Sequence, residues 1–227
     1  MKLRKSAVNA GAVLVGFADL SQLPQRPRQF MICGVSVAVA LDPEIVAGIG
    51  DGPSLAYVEE YERVNDLLAT LSRRVAGVLR SGGYRAVPLP PTGMDFDSET
   101  LSTPLPHKTV ATRAGLGWIG KNALLITEEY GSAVRLGTIL TDASLETGQA
   151  VDHSRCESCT LCVKKCPAAA PTGENWSVGR GREDLLDAHA CNAFAERQSA
   201  FLGSAHTICG RCIPPCPWTQ RYLRSSR

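Results

Sequence analysis

The chain is short of cysteine where a disulfide-built protein needs it. Nine cysteines occur in 227 residues, yet only Cys33 falls within the first 150. Disulfide scaffolds are small and cysteine-dense throughout, so that class is excluded. A surplus of either charge is also missing. With 24 basic and 22 acidic residues the net charge is +2, which makes no case for a nucleic-acid binder. No apolar run is long enough to span a bilayer. Met1 to Lys5 and the apolar stretch to Ala18 imitate a secretory leader, but the pattern is incomplete. Asn9 interrupts it, no Ala-x-Ala site follows, and Asp19 comes straight after. A first helix (Lys2 to Ala10), a stop at Gly11 and a strand (Val13 to Phe17) are expected instead. The lone Cys33 lies in the apolar run Phe30 to Val35 and reads as an inert buried side chain.

What the chain does have is concentrated late. The run Cys156-Glu-Ser-Cys159-Thr-Leu-Cys162-Val-Lys-Lys-Cys166-Pro167 has the ligand spacing of a bacterial ferredoxin. Two intervening residues let the chain curl round one cubane and offer successive thiolates to different irons. The fourth cysteine of such a run ligates the other cluster in two-cluster proteins. That requires a second set, and Cys209-Gly-Arg-Cys212-Ile-Pro-Pro-Cys216-Pro217 supplies it, with Cys191 upstream. Cys156, Cys159, Cys162 and Cys216 are assigned to one 4Fe–4S cluster, and Cys166, Cys191, Cys209 and Cys212 to a second. Cys191 departs furthest from the ferredoxin repeat. Zinc also binds Cys-x-x-Cys pairs, but eight cysteines in two runs closed by Cys-Pro fit zinc ribbons poorly. The chemistry expected is single-electron transfer. Oxygen-labile clusters and unpaired thiolates point to the cytoplasm.

Length and a hydrophobic content of 44% allow one medium and one small domain. Met31 to Leu41 reads as a buried strand. Leu55, Val58, Leu68, Leu71, Val75, Val78 and Leu79 recur at helical spacing, so a long helix over Leu55 to Leu79, closed by Gly82-Gly83, is expected. A short strand at Tyr84 to Val87, a helix over His107 to Ala114, and strands Ala123 to Thr127 and Val134 to Thr141 paired through residues 128–131 complete the pattern. Between them, Pro88, Pro90, Pro91, Pro104 and Pro106 bracket a loop carrying Asp95, Asp97 and Glu99. These acids are either catalytic or simply solvated. No repeat is visible beyond the two cysteine runs.

Gly115-Leu-Gly117-Trp118-Ile-Gly120-Lys121-Asn122 satisfies the dinucleotide fingerprint and most of a P-loop. Both motifs need a strand before and a helix after, and the order here is reversed; Asn122 also replaces the P-loop hydroxyl. The segment still permits close backbone approach to a flat, polar-edged ligand, because glycine carries no side chain to intervene.

The run Thr112 to Thr127, followed by Tyr130-Gly131-Ser132, Leu140-Thr141-Asp142 and the closing Cys216-Pro217-Trp218, resembles the core of the epoxyqueuosine reductase family over nearly the whole chain. The resemblance implies an α+β chain. A nitroreductase-like α/β domain over residues 1–150 would hold cobalamin, and a ferredoxin-like domain over residues 151–227 would hold two 4Fe–4S clusters. It implies that Arg113, Gly115, Gly117, Trp118, Gly120, Lys121 and Asn122 contact cobalamin. For Arg113 and Lys121 the other reading is a salt bridge to Glu128 or Glu129. Leu101 stands where the family carries a proton-donating aspartate, and His107 where a glutamate is usual. His107 is thus either a replacement catalytic proton donor or a helix-start histidine with a structural hydrogen bond. The sequence ends soon after the last cysteine motif, without the family's tRNA-contacting region, so a separate branch with another substrate is expected. Electrons would come from a ferredoxin or flavodoxin and pass through the clusters to cobalamin, for reduction of a small molecule or a corrinoid. A carrier without its own substrate, or flavin in place of cobalamin, is the alternative.

Overall fold

The computed structural model describes residues 2–90 and 96–226, so Pro91 and Asp95 lie outside the described residues. Two compact units interleave along the sequence. The first comprises Met1–Ala40, Val64–Gly117 and Arg135–Val151; the second comprises Leu41–Arg63, Trp118–Val134 and Asp152–Arg227. The chain changes unit at 151/152, beside the boundary expected at 150, but residues 41–63 and 118–134 also belong with the cysteine-rich part.

The first unit is built on a four-stranded sheet in the order β1-β2-β6-β3. Its strands are β1 (Leu14–Asp19), β2 (Cys33–Ala40), β3 (Ala86–Leu89) and β6 (Val134–Thr141). β1 and β2 are antiparallel with Leu14 opposite Ala38, and β3 and β6 are antiparallel with Ala86 opposite Thr141. β2 occupies an interior position and is buried at every residue but its last, as its unbroken run of small and branched residues demands. Pro88, which cannot donate to a ladder, sits in β3 at the sheet edge. Helix α4 (His107–Arg113) buries Val110, Ala111 and Thr112. Close approach to β1 and β2 depends on missing side chains: a Cβ on Gly34 would meet Val110 at 2.9 Å, and one on Gly16 would meet Ala114 at 2.9 Å. Val110 and Ala114 join Ala18, Leu20, Met31 and Leu140 in one apolar cluster. The N-terminal helix α1 (Lys2–Val8) precedes β1.

The long helix α3 (Leu55–Ser81) has its last residues, from Val64, in this unit. Val64, Leu68, Leu71, Val75 and Leu79 form its buried stripe. Two stripe members expected from spacing fall outside it. Leu55 is 60% exposed, because it is the first helical residue, and Val78 is only half-buried, one step round the helix from Leu79.

The second unit contains α2 (Pro43–Ala47), the first turns of α3, the short hairpin β4 (Trp118–Ile119) and β5 (Leu125–Ile126), and helices α5 (Leu161–Lys164), α6 (Ala188–Phe201) and α7 (Pro217–Ser225). Asp42 caps α2 by accepting from Glu44 and Ile45 N–H groups, with Pro43 at the first helical position. Buried Glu60 accepts from Asp42 N at 2.8 Å and pairs through both oxygens with Arg63. Tyr222 of α7 donates its hydroxyl to Leu41 O at 2.9 Å.

The strand pairing expected around residues 128–131 is corrected. β5 pairs with β4, not with β6. Ala123, in left-handed backbone (φ 57°), turns the chain so that its N–H reaches Gly120 O at 2.8 Å, which folds β5 back on β4. A local turn at 127–131 persists, but β6 leaves it to lie beside β2 and β3. Among the described residues no helix is long and apolar enough to cross a membrane.

Candidate metal centre

All eight cysteines of the two runs lie in the second unit, and all nine cysteines of the chain are free. Cys156 and Cys159 share a tight turn, in which Cys159 N donates to Cys156 O at 2.9 Å and Glu157 takes a left-handed conformation (φ 48°). Cys162 follows in α5. Cys216 stands at the N-cap of α7, where the backbone N–H groups of Trp218 and Thr219 are directed at its sulfur. Cys191 is carried by α6, whose N-cap is Asp187.

Electrostatics sorts the thiols into two groups. Burial pushes Cys162 up to about 11, and Cys156, Cys216 and Cys159 push the same way. Burial also raises Cys191, with Cys166, Cys209 and Asp187 adding to it. Cys212 is raised far above the ordinary thiol range by burial, then by Cys191, Cys209, Cys162 and Cys166. Cys209 is raised by burial against the backbone N–H of Arg211. Cys156, Cys159 and Cys216 are thus neighbours of Cys162, and Cys166, Cys191 and Cys209 are neighbours of Cys212, with Cys162 also acting on Cys212. Bare thiols behave so around a space suited to a cation, because a bound metal deprotonates them outright.

A cavity of about 260 Å³ opens among the first group. Its wall contains Cys156, Cys159, Cys162 and Cys216, joined by Lys121 and Arg155. Among the described residues no three His, Cys, Asp or Glu side chains are placed to hold a single metal ion. Zinc needs its four donors within about 2.0–2.3 Å of one ion. Four thiols spread round a cavity suit a polynuclear core, in which each thiolate takes its own iron.

The glycine-rich segment is divided between the units after Gly117, and protein packs against two of its glycines. A Cβ on Gly115 would meet Gln149 O at 2.6 Å, and one on Gly120 would meet Asn122 Oδ1 and Ile126 at 2.8 Å. These contacts fill the Cβ directions of Gly115 and Gly120, while Gly115 itself stays exposed at a cavity of about 830 Å³. Trp118 is fully buried, edge-on to Trp218 at 5.1 Å. Asn122 is buried and donates its amide to Cys212 O at 3.4 Å, holding the backbone of one group of cysteines. Lys121 lines the cavity of the other. Neither Glu128 nor Glu129 pairs with Lys121; Glu128 pairs with Arg155. Gly117 ends the first unit and Trp118 begins a stretch of the second. Arg113 donates to Val151 O at 2.6 Å.

His107 is locked by both ring nitrogens. Nε2 lies 2.9 Å from Pro90 O and Nδ1 lies 2.9 Å from Thr138 Oγ1. A carbonyl only accepts, so Nε2 carries the proton and Nδ1 accepts from the Thr138 hydroxyl. Burial holds its pKa below the ordinary histidine value, and Arg135 acts in the same direction, against the Pro90 hydrogen bond. This is the structural hydrogen-bond arrangement, and it leaves no free proton to give. A depressed folded pKa means that the unfolded chain protonates first. Stability from this histidine is therefore full above about pH 6.5 and is lost as pH falls through the lower folded value. Thermal unfolding of His107→Gln is expected to be less sensitive to pH than wild type between about pH 7.5 and 5.5; an unchanged acid limb contradicts the assignment. Asp97 is likewise a turn former: its side chain accepts from Glu99 N and Thr100 N.

Six contributors to the cavity wall were not expected as site residues: Ile126, Arg155, Glu157, Pro217, Trp218 and Arg221. Arg155 directly precedes Cys156, while Trp218 and Arg221 follow Cys216 on α7. Arg221 stacks on Trp218 at 4.4 Å and Arg155 on Trp118 at 5.2 Å. Their adjacency to ligand cysteines was the available signal.

No family model matches the chain. Curated relatives do. The chain is 35% identical over 238 residues to an epoxyqueuosine reductase from Gloeobacter violaceus, which covers 96% of the chain and 68% of that relative. It spans less than half the length of other epoxyqueuosine reductases that it matches. Among solved structures, a selenomethionine-labelled epoxyqueuosine reductase aligns over 96% of the chain and 65% of its own length at 19% identity, with a TM-score of 0.66. A reductive dehalogenase whose structure suggests a mechanism for B12-dependent dehalogenation aligns over 99% of the chain and 33% of its own, at 16% identity and a TM-score of 0.72. These structural likenesses show a shared mixed α/β fold. By sequence, the chain belongs to the epoxyqueuosine reductase family.

Proposed function

We propose that the protein is an iron–sulfur oxidoreductase that binds two 4Fe–4S clusters in its second unit and passes single electrons to an acceptor. The observation that supports this reading is the gathering of eight cysteines in one unit, with Cys156, Cys159, Cys162 and Cys216 round one cavity. Cys156, Cys159, Cys162 and Cys216 would hold one cluster, and Cys166, Cys191, Cys209 and Cys212 the other. Such clusters supply one-electron chemistry at potentials set by hydrogen bonds, charge and exposure. The chain's own residues hold the thiols in place. Trp218 and Thr219 direct N–H groups at the Cys216 sulfur, and Asn122 steadies the backbone at Cys212. In this reading the first unit is nitroreductase-like and the second ferredoxin-like. A reduced ferredoxin or flavodoxin loses each electron that the protein gains. Free thiols and oxygen-labile clusters suit the cytoplasm.

Cobalamin is the acceptor that the likeness to a B12-dependent reductive dehalogenase suggests. It would supply a cobalt centre able to take the electrons. Within the Gly115–Asn122 segment Trp118 is fully buried, while Gly115 and Leu116 line a cavity of about 830 Å³ and Lys121 and Asn122 line the one at the cysteines, so those positions stay open to a ligand. Leu101 has no ionisable group and His107 is locked, so neither supplies a proton. The reading therefore assigns the chain an acceptor other than a tRNA epoxide.

The test uses anaerobic protein, reduced and then desalted to remove the reductant. Added hydroxocobalamin is expected to bleach the reduced-cluster spectrum, to change its own, and to stay with the protein through a second desalting. No spectral change and no retention would remove cobalamin from the account. Turnover of a halogenated or epoxide substrate by the loaded protein marks an enzyme; cobalamin reduction without turnover marks a carrier.

A further inference from the structure

Lys121 is a largely buried lysine at the wall of the cavity, which Glu157 also lines. The residue is 5% exposed, and its ammonium makes no hydrogen bond or ion pair with any described residue. Lysines are almost never so buried unless paired, since an uncompensated charge away from water is costly. Its place explains the exception: it lines the cavity that also exposes Cys156, Cys159, Cys162 and Cys216. Three residues earlier, the buried Nε1 of Trp118 also lacks an acceptor. The other cations of the cavity are already engaged. Arg155 pairs with Glu128, and Arg221 stacks on Trp218.

We propose that Lys121 is the electrostatic partner of the cluster held by Cys156, Cys159, Cys162 and Cys216, and that it raises the reduction potential of that cluster above that of its neighbour. The inference rests on the iron–sulfur reading. Four thiolates outweigh the positive charge of a cubane core, so the ligated cluster is an anion, and it gains one more negative charge when an electron arrives. A fixed cation at its wall favours the reduced form. Charge is one of the levers by which proteins set such potentials. Around the second group Asp187 beside Cys191 offsets Arg211 beside Cys209, whose buried Nε also has no hydrogen-bond partner. Electrons entering the pair therefore come to rest on the cluster beside Lys121.

The test is an anaerobic potentiometric titration of the full chain followed by electron paramagnetic resonance, with iron measured on every sample. Wild type is expected to show two one-electron steps. In Lys121→Met the higher step moves down, so that the ratio of reduced to oxidised cluster at fixed potential falls at least tenfold, or 59 mV for a one-electron couple. The lower step stays in place. Lys121→Arg keeps the charge and stays within twofold of wild type. The shift persists in high salt, because a buried charge is poorly screened. Full iron with unmoved potentials, or equal movement of both steps, overturns the proposal and leaves the clusters standing. If Lys121→Met and Lys121→Gln take up no iron while Lys121→Arg does, the lysine assembles the cluster rather than tuning it, and the proposal also fails. Wild type without iron removes the cluster reading and this inference together.

Discussion

Cys162→Ser is expected to cut the iron content of anaerobically prepared protein from about eight to about four per chain. Cys162 sits with Cys156, Cys159 and Cys216, and each of these opposes its ionisation. Losing its thiolate removes one corner of one cluster only. Cys191→Ser is expected to have the same numerical effect on the other cluster, because Cys191 faces Cys166 and Cys209. The two variants differ in which potential survives, and the double variant empties the protein. Cys33→Ser serves as the control, since Cys33 is buried in β2 of the first unit. Iron unchanged in Cys191→Ser would remove that cysteine from the ligand set. Loss of all iron in either single variant would show that the two clusters do not assemble independently.

Gly131→Ala carries the largest expected cost to stability. Gly131 has φ 56°, and a Cβ there would lie 2.2 Å from Thr219 N and 2.4 Å from Thr219 Oγ1. Thr219 is fully buried and accepts from Ser132 N at 3.1 Å, so it has no room to retreat. It lies in the first turn of α7, whose N-cap is the candidate ligand Cys216. Overpacking and left-handed strain together predict a loss of about 3 kcal/mol or more. For a chain of this size that lowers Tm by roughly 6–12 °C. The displaced helix start is expected to labilise the cluster that uses Cys216. Gly77→Ala is the opposite control. Gly77 lies within α3, and a Cβ there would meet nothing within 4 Å. Alanine in an exposed helix interior is expected to stabilise by about 0.8–1 kcal/mol. Equal melting temperatures for Gly131→Ala and wild type would contradict the packing described here.

The parts of the fold that were legible in the sequence are those written in local spacing. The Cys-x-x-Cys runs marked the cysteine-rich part before any geometry, and Cys191 lies in the same unit despite its irregular position. The stripe from Val64 to Leu79 located α3, and the apolar run at residues 33–40 located β2. Long-range pairing was not legible. A turn at 127–131 looked like a hairpin, but β6 is claimed by β2 and β3, while β5 folds back on β4 through the left-handed Ala123. The interleaving of units was hidden for the same reason: nothing in residues 41–63 marks them as partners of the cysteine-rich segment. The glycine-rich motif was ambiguous. Its glycines admit Gln149, Asn122 and Ile126, and a glycine in sequence does not say whether protein or ligand will come close. His107 was ambiguous until Thr138 and Pro90 appeared on either side of its ring.

The most direct test of the account is the count of iron and acid-labile sulfide in air-free wild-type protein. About eight of each per chain, with a broad absorbance that bleaches on reduction, is the result the paired cysteine groups require. Stoichiometric zinc with no sulfide, bound at the same cysteines, would contradict it.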